Sequence, residues 1–273
     1  MPNIVLRPSP AFNTWRKLTM GAWGSPQDPT IYGMMELDTT AINAYLARRS
    51  AESGLKLTLT HAVSRALALT LAEHPFANVM VRYSRLYQRD SVDVFLQVAV
   101  VDGDKPADLS GAKIVAADTK NVVAIAEELK KKATQIRQDG DPEFRKTKSS
   151  LGFVPSILVR PMVRLLGLLQ YTFNWDMTMF GMPRDPFGSA MVTSVGMFGI
   201  TTGLAPLFPP SRCPVLLLIG AVEDRPVVRN GEIVIRPMVT LTGTFDHRVV
   251  DGYHGGLLAK TLRSHLENPT ETF

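Results

Sequence analysis

The stretch Thr244-Phe245-Asp246-His247-Arg248-Val249-Val250-Asp251-Gly252 lies where an apolar strand gives way to a helix. A strand-to-helix junction holds polar side chains rigidly and lets them face a cavity. A histidine side chain ordinarily changes charge close to neutral pH, so His247 is the candidate general base there. Asp251, four residues on, is placed to anchor the turn, and Gly252 admits close backbone approach. The residues alone leave a plainer reading open, in which His247 beside Asp is a satisfied surface or core residue without chemistry.

Working outward, three strand-like runs precede the junction: Ala190 to Gly196, Val215 to Val222 and Glu232 to Phe245. Asn230-Gly231 between the last two carries the two-residue hairpin signal. A closing helix follows from Tyr253 to Leu266. In the first half, Thr30 to Leu37 reads as a strand. Asp38-Thr39-Thr40 caps a helix that Gly54 stops. A second helix, about Thr60 to Glu73, has Val63, Leu67, Leu69 and Leu71 as an apolar stripe and ends at Pro75. Val79 to Tyr87 and Ser91 to Asp102 read as strands, the second with Val92, Val94, Leu96, Val98 and Val100 on one face and a mixed face opposite. Asp102-Gly103-Asp104 marks a turn. Asp118 to Gln138 is a helix capped by Asp118 or Thr119. Residues 3–28, rich in Pro, Gly and Trp, read as an irregular leader with one short helix around Trp15 to Ala22. This order predicts an α+β, two-layer sandwich: helices packed on one mixed, mostly antiparallel sheet.

Composition agrees with a folded chain. The protein has 273 residues, 45% hydrophobic and 20% charged, which excludes a disordered or fibrous class. Its net charge of +5 permits anionic ligands and does not call for nucleic acid. One cysteine, Cys213, excludes an intrachain disulfide framework and a Cys-rich metal site. His61, His74, His247, His254 and His265 show no metal-ligand spacing, so no metal is expected. The N-terminus lacks a signal peptide, and the greasiest stretch, Gly152 to Met182, is broken by prolines, arginines and Asp176, so the expectation is a soluble cytoplasmic protein.

The His-Arg-Val-Val-Asp-Gly run, preceded by Asp246, resembles the active-site signature of the acyltransferase component of 2-oxo-acid dehydrogenase complexes. Asp251-Gly252-Tyr253-His254 is similar to the matching segment of chloramphenicol acetyltransferase, which shares that fold. Further landmarks fall in order. Asn13-Thr14-Trp15-Arg16-Lys17 resembles the N-terminal segment of both families, Glu36 to Ala41 their strand-to-helix step, and Glu73 to Asn78 their helix end. Val192-Thr193-Ser194-Val195-Gly196-Met197-Phe198-Gly199 resembles a stretch of the dehydrogenase family, and Cys213 to Gly220 follows. The resemblance covers roughly residues 11–270.

The resemblance implies a chloramphenicol acetyltransferase-like fold and a CoA-dependent acyltransferase. It would move an acyl group between CoA and a thiol acceptor of the dihydrolipoamide kind. It implies His247 as base and Thr193, a serine in the family, as the hydroxyl donor to the oxyanion, with Ser194 as fallback. It implies an Arg16–Asp251 ion pair bracing the His247 loop, with Gly252 in support. The family forms trimers, or multiples of trimers, with His247 from one subunit and the donor from its neighbour. Two rival readings remain: O-acetylation of a small molecule, and a non-catalytic trimeric scaffold.

The chain also departs from the family. It reads as a single catalytic domain, 1–273, with no room for lipoyl or peripheral-subunit-binding domains. No covalent lipoyl group is expected, and any lipoyl partner is a separate protein. The family's stretch after the Asp-Gly turn is replaced by Lys105 to Ser110. An apolar insertion occupies about 148–185, where Leu158, Met162, Leu165, Leu166 and Leu169 make a helical stripe with Arg160 and Arg164 on another side. It reads as core packing or subunit contact before a lid or acyl-chain pocket. Membrane-surface contact through 150–182 is a further reading, placed behind these. Lys130-Lys131-Lys132, with Arg145, Lys146 and Lys148, is a weak candidate for holding CoA phosphates beside its plainer reading as a solvated helix face.

Overall fold

In the computed structural model, residues 28–100, 108–139, 155–180, 182–270 and 273 are described. The expected leader helix with Arg16, the Asp102-Gly103-Asp104 turn and the basic residues Arg145, Lys146 and Lys148 lie outside them.

Six strands form one sheet: β1 (Thr30–Asp38), β4 (Val94–Val100), β5 (Asp108–Ile114), β6 (Ala190–Ser194), β7 (Val215–Arg229) and β8 (Glu232–Asp246). Their order is β1-β8-β7-β6-β4-β5. The pairs β1–β8, β8–β7 and β4–β5 are antiparallel, while β7–β6 and β6–β4 are parallel. The sheet is thus mixed and mostly antiparallel, as the sequence predicts. Strand alternation splits its side chains between two apolar clusters. Val215, Leu217 and Ile219 face a core shared with the helices α1 (Thr40–Ser53), α2 (Leu59–Glu73), α3 (Val122–Asp139) and α5 (Gly252–Glu267). Leu216 and Leu218 face the other way, into a smaller cluster with Phe95, Phe187, Met191 and Cys213. The mixed face expected for the strand around Phe95 is this second cluster.

The hairpin of β7 and β8 turns at Asn230 and Gly231, both left-handed (φ 52° and 84°), as the Asn-Gly signal demands. Gly54 caps α1 in the left-handed region at φ 69°.

Three elements differ from expectation. Val79 to Tyr87 is a separate hairpin, β2 (Val79–Arg82) and β3 (Arg85–Gln88), rather than one strand. Its turn residues Tyr83 and Ser84 take positive φ without the usual Asn or Gly, so the sequence carries no turn signal. The Arg82 guanidinium sits 5.1 Å from the Tyr83 ring centre and 5.7 Å from that of Tyr87, fastening the hairpin. Strand β5 has no sequence signature, because Gly111 interrupts its pattern. The Phe95 ring from β4 covers that glycine, and a Cβ there would meet the ring at 2.0 Å. Finally, α3 starts at Val122, later than predicted. Buried Arg65 on α2 bonds the carbonyls of Ala117 (3.2 Å) and Asp118 (2.6 Å), holding a short 3-10 turn, Ala117–Thr119. Asn121 Oδ1 then accepts from the Ala124 N–H at 2.9 Å, so Asn121, not Asp118 or Thr119, caps α3.

The segment expected to be an insertion contains a helix, α4 (Ser156–Gly167), followed by a wider turn over Leu168–Thr172. No helix among the described residues is long and apolar enough to cross a membrane.

Candidate active site

The turn after β8 is fixed at several points. Asp246 donates its N–H to the Pro214 carbonyl at 3.0 Å, and the N–H groups of Val249 and Val250 return to the Asp246 carbonyl. His247 donates its own N–H to the Pro29 carbonyl at 2.7 Å, tying the turn to the start of β1. The Asp246 carboxylate, almost buried, accepts from Arg248 N–H at 3.0 Å, Nε at 2.9 Å and Nη2 at 2.6 Å. Burial pushes that carboxyl up. The Arg248 bonds outweigh it and hold the group below its ordinary value.

His247 projects from this turn with an exposed side chain. Its Nδ1 lies 3.1 Å from the Val250 carbonyl oxygen. A carbonyl only accepts, so Nδ1 carries the hydrogen and Nε2 keeps a free lone pair. That tautomer suits a general base acting through Nε2.

Asp251 is the N-cap of α5. Its Oδ1 accepts from His254 N–H at 2.9 Å and from His254 Nδ1 at 2.7 Å. These bonds, the backbone one foremost, hold the carboxylate below its usual range. His254 also packs its ring 4.6 Å from that of Phe76. The described partner of Asp251 is therefore His254, which the sequence assigned to helix packing alone. Arg16 lies outside the described residues. Gly252 opens α5, and a Cβ there meets nothing within 4 Å.

Thr193 sits half-buried on β6, sharing the face of Met191 away from the helices, with Ser194 on the opposite face. Its register partner is Leu218, which pairs with Thr242 on β8. Asp246, the residue before His247, is four positions further along β8. At about 3.3 Å per residue and 4.8 Å per strand, that places Thr193 roughly 16 Å from the start of the His247 turn. One protomer does not bring the two together. The loop after β6 is seated tightly on β7: a Cβ on Gly220 would come within 1.9 Å of the Thr201 carbonyl oxygen. The two glycine-bearing motifs around Gly196 and Gly220 fit this close backbone approach.

Lys130, Lys131 and Lys132 are also remote from His247. They lie on α3, which packs against β5 at the far edge of the sheet. Lys132 is occupied by Glu128 at 2.9 Å and by the Lys113 carbonyl. A basic surface that the sequence reading missed lies nearer. Arg82, Arg85, Arg212 and Arg248 line a cleft of about 440 Å³ with no carboxylate among its lining residues. The four come from three separated segments, so no run of charges announces them. On the other side of the turn, an apolar cavity of about 290 Å³ between β1, β8 and α5 reaches Asp251 and Gly252.

A sequence model of the 2-oxoacid dehydrogenases acyltransferase (catalytic domain) matches residues 23–141 and 187–273. The chain is 28% identical over 229 residues to the dihydrolipoyllysine-residue acetyltransferase component of the pyruvate dehydrogenase complex of Rhizobium meliloti (strain 1021). That alignment covers 84% of this chain and 41% of the relative, so the chain spans less than half of the curated protein it matches. The fold is similar to a probable dihydrolipoamide acetyltransferase from Listeria monocytogenes 4b F2365, with a TM-score of 0.66 at 20% identity, covering 98% of this chain and 99% of that one. It is also similar to the cubic core of the pyruvate dehydrogenase multienzyme complex (TM-score 0.62, 20% identity, 88% and 82% covered). Chloramphenicol acetyltransferase matches at a TM-score of 0.51 and 16% identity, over 88% and 89% of the two chains.

Proposed function

Because the chain belongs to the 2-oxoacid dehydrogenases acyltransferase (catalytic domain) family, we propose that it transfers an acyl group between CoA and a thiol acceptor of the dihydrolipoamide kind. The observation that carries this reading is the His247 Nδ1–Val250 carbonyl bond, which leaves Nε2 free to take a proton.

A thiol with an ordinary pKa of about 8.5 is mostly protonated at neutral pH. Nε2 of His247 accepts the S–H proton of the acceptor. The thiolate sulfur bonds to the thioester carbonyl carbon, whose oxygen becomes an oxyanion. Collapse breaks the bond to the CoA sulfur, which takes the proton back from Nε2. The oxyanion requires a donor, and the Thr193 hydroxyl fills that role. Thr193 and His247 lie far apart within one protomer, so the working site pairs His247 of one copy with Thr193 of another in a homotrimer or multiple of trimers. The cubic core among the similar folds is consistent with such assembly. The arginine cleft beside Arg248 takes the phosphates of CoA, in place of Lys130 to Lys132. The segment near 148–185 is an insertion, which the two-part family match supports.

The test is thiol release from acetyl-CoA and longer acyl-CoAs with dihydrolipoamide or small alcohols as acceptor, for wild type and His247→Ala. A second arm mixes His247→Ala with Thr193→Ala after dissociation and reassembly. Turnover in wild type, loss in each variant and partial recovery in the mixture are expected. No turnover by wild type with any acceptor, together with no CoA binding by calorimetry, overturns the acyltransferase reading. Turnover without recovery in the mixture overturns the shared site.

A further inference from the structure

The proposed chemistry leaves the outer side of the insertion unused. The residues of α4 and the turn after it fall into three stripes. Val159, Met162, Val163 and Leu166 are half-buried against the body of the protein. Leu158, Pro161, Leu165 and Leu168, at spacings of three and four, share another side and are exposed, Leu158 and Leu165 at 53% each. Arg160 and Arg164, one turn apart, form an exposed third stripe. The fold therefore divides the single apolar stripe expected from sequence into a face that packs and a face that does not. Phe173, Trp175 and Met179 follow at once, all exposed, Met179 at 93%. From residue 155 to 175 the chain carries no Asp or Glu.

We propose that α4 and the turn after it lay this protein on an anionic lipid surface, with Leu158, Leu165, Leu168, Phe173 and Trp175 in the acyl boundary and Arg160 and Arg164 on lipid phosphates. Three observations carry this. The unpacked side of the helix is an apolar band bordered by arginines, the pattern of a helix lying in the interface plane. Within residues 155–175 no carboxylate repels an anionic surface, and Asp176, the next residue, is paired with Arg184. Exposed Trp and Phe have one apolar side and, in Trp, one polar tip, which suits the headgroup level. The helix has 12 residues and is about 18 Å long, so it rests on a bilayer rather than spanning about 30 Å of hydrocarbon. A twofold contact of this face with itself would set arginine stripes against each other, and contact with a different surface of a neighbouring copy is tested by oligomer size.

The test is sedimentation of the whole protein with vesicles of phosphatidylcholine alone and of phosphatidylcholine mixed with phosphatidylglycerol. Tryptophan emission and light scattering are read on the same samples. Wild type should bind the mixed vesicles and release them as salt rises, with emission shifting to shorter wavelength. The pairs Leu158→Ser with Leu165→Ser and Arg160→Glu with Arg164→Glu should each weaken binding about tenfold or more while thiol-transfer turnover stays unchanged. All four side chains are exposed, so the fold should survive, and the Trp175→Leu change reports on the wild-type surface by removing the emission shift alone. No binding to mixed vesicles at low salt overturns the proposal. So does binding equal for wild type and both pairs. So does a change in oligomer size on substitution with vesicle binding intact, which would make this face a subunit contact.

Discussion

Nδ1 of His247 points at the carbonyl oxygen of Val250, three residues along the same turn, at 3.1 Å. This bond orients a ring that is otherwise exposed to solvent. His247→Asn keeps an amide donor for that carbonyl and removes the proton acceptor at Nε2. Turnover should fall by roughly 10²–10⁴. Stability should change by no more than about 0.5 kcal/mol, because an exposed side chain is being replaced. Steady-state kinetics beside a thermal melt separates the two. A variant that loses turnover only in proportion to lost folded protein would remove His247 from the chemistry.

In the proposed mechanism Thr193 meets the oxyanion through its hydroxyl, so Thr193→Ala should lower kcat by roughly 10²–10³ and leave KM for the acyl-CoA nearly unchanged. Thr193→Ser keeps the hydroxyl and drops a methyl, and should retain most of the wild-type rate. Full kcat in the alanine variant would assign the oxyanion to another donor.

The sequence made the architecture legible where local chemistry had to be satisfied locally. Asn230-Gly231 announced the long hairpin because only left-handed residues close such a turn. Gly54 marked the end of α1 for the same reason. The sequence missed what non-local contacts decide. β5 is a strand through its pairing with β4, where the Phe95 ring covers Gly111, and α3 starts late where Arg65 of another helix captures two carbonyls. The site divides the same way. His247, Asp251 and Gly252 stand in one short run, so the sequence alone groups them as candidates. The four arginines of the cleft come from three separated segments, and no pattern in the chain gathers them. The Asp251–His254 pairing needed only the i, i+3 spacing of a helix start and could have been read from it.

The Asp246–Arg248 clamp is open to a pH test. Asp246 has its carboxyl held below the ordinary value, so its contribution to stability is full above the unfolded carboxylate value of about 3.9 and is lost as pH falls through the folded value. Arg248→Ala removes the guanidinium bonds and leaves burial opposed only by the backbone N–H at position 248, so the carboxyl moves up. Near pH 7 the variant should be less stable by about 1–2 kcal/mol, less than for a fully buried pair because Arg248 is partly exposed. The deficit should shrink below about pH 4, where Asp246 no longer needs a cation. Melting curves across that range decide the matter, and a deficit independent of pH would mean that Arg248 contributes by packing alone.

His61 gives the opposite pH signature from a different part of the fold. Its Nδ1 accepts the Thr58 N–H at 3.0 Å at the start of α2, and burial pushes the imidazole from 6.5 down to about 4. Between those values the unfolded chain takes up a proton that the folded chain refuses. Stability is therefore full above about pH 6.5 and declines as pH falls toward 4, by about 3 kcal/mol at most. Gln at the same helix position can accept the Thr58 N–H without titrating. His61→Gln should thus flatten the dependence of the urea midpoint on pH between about 6.5 and 4, while leaving the Asp246 effect at lower pH in place. An equally steep decline in the variant would show that the loss in this window comes from other groups.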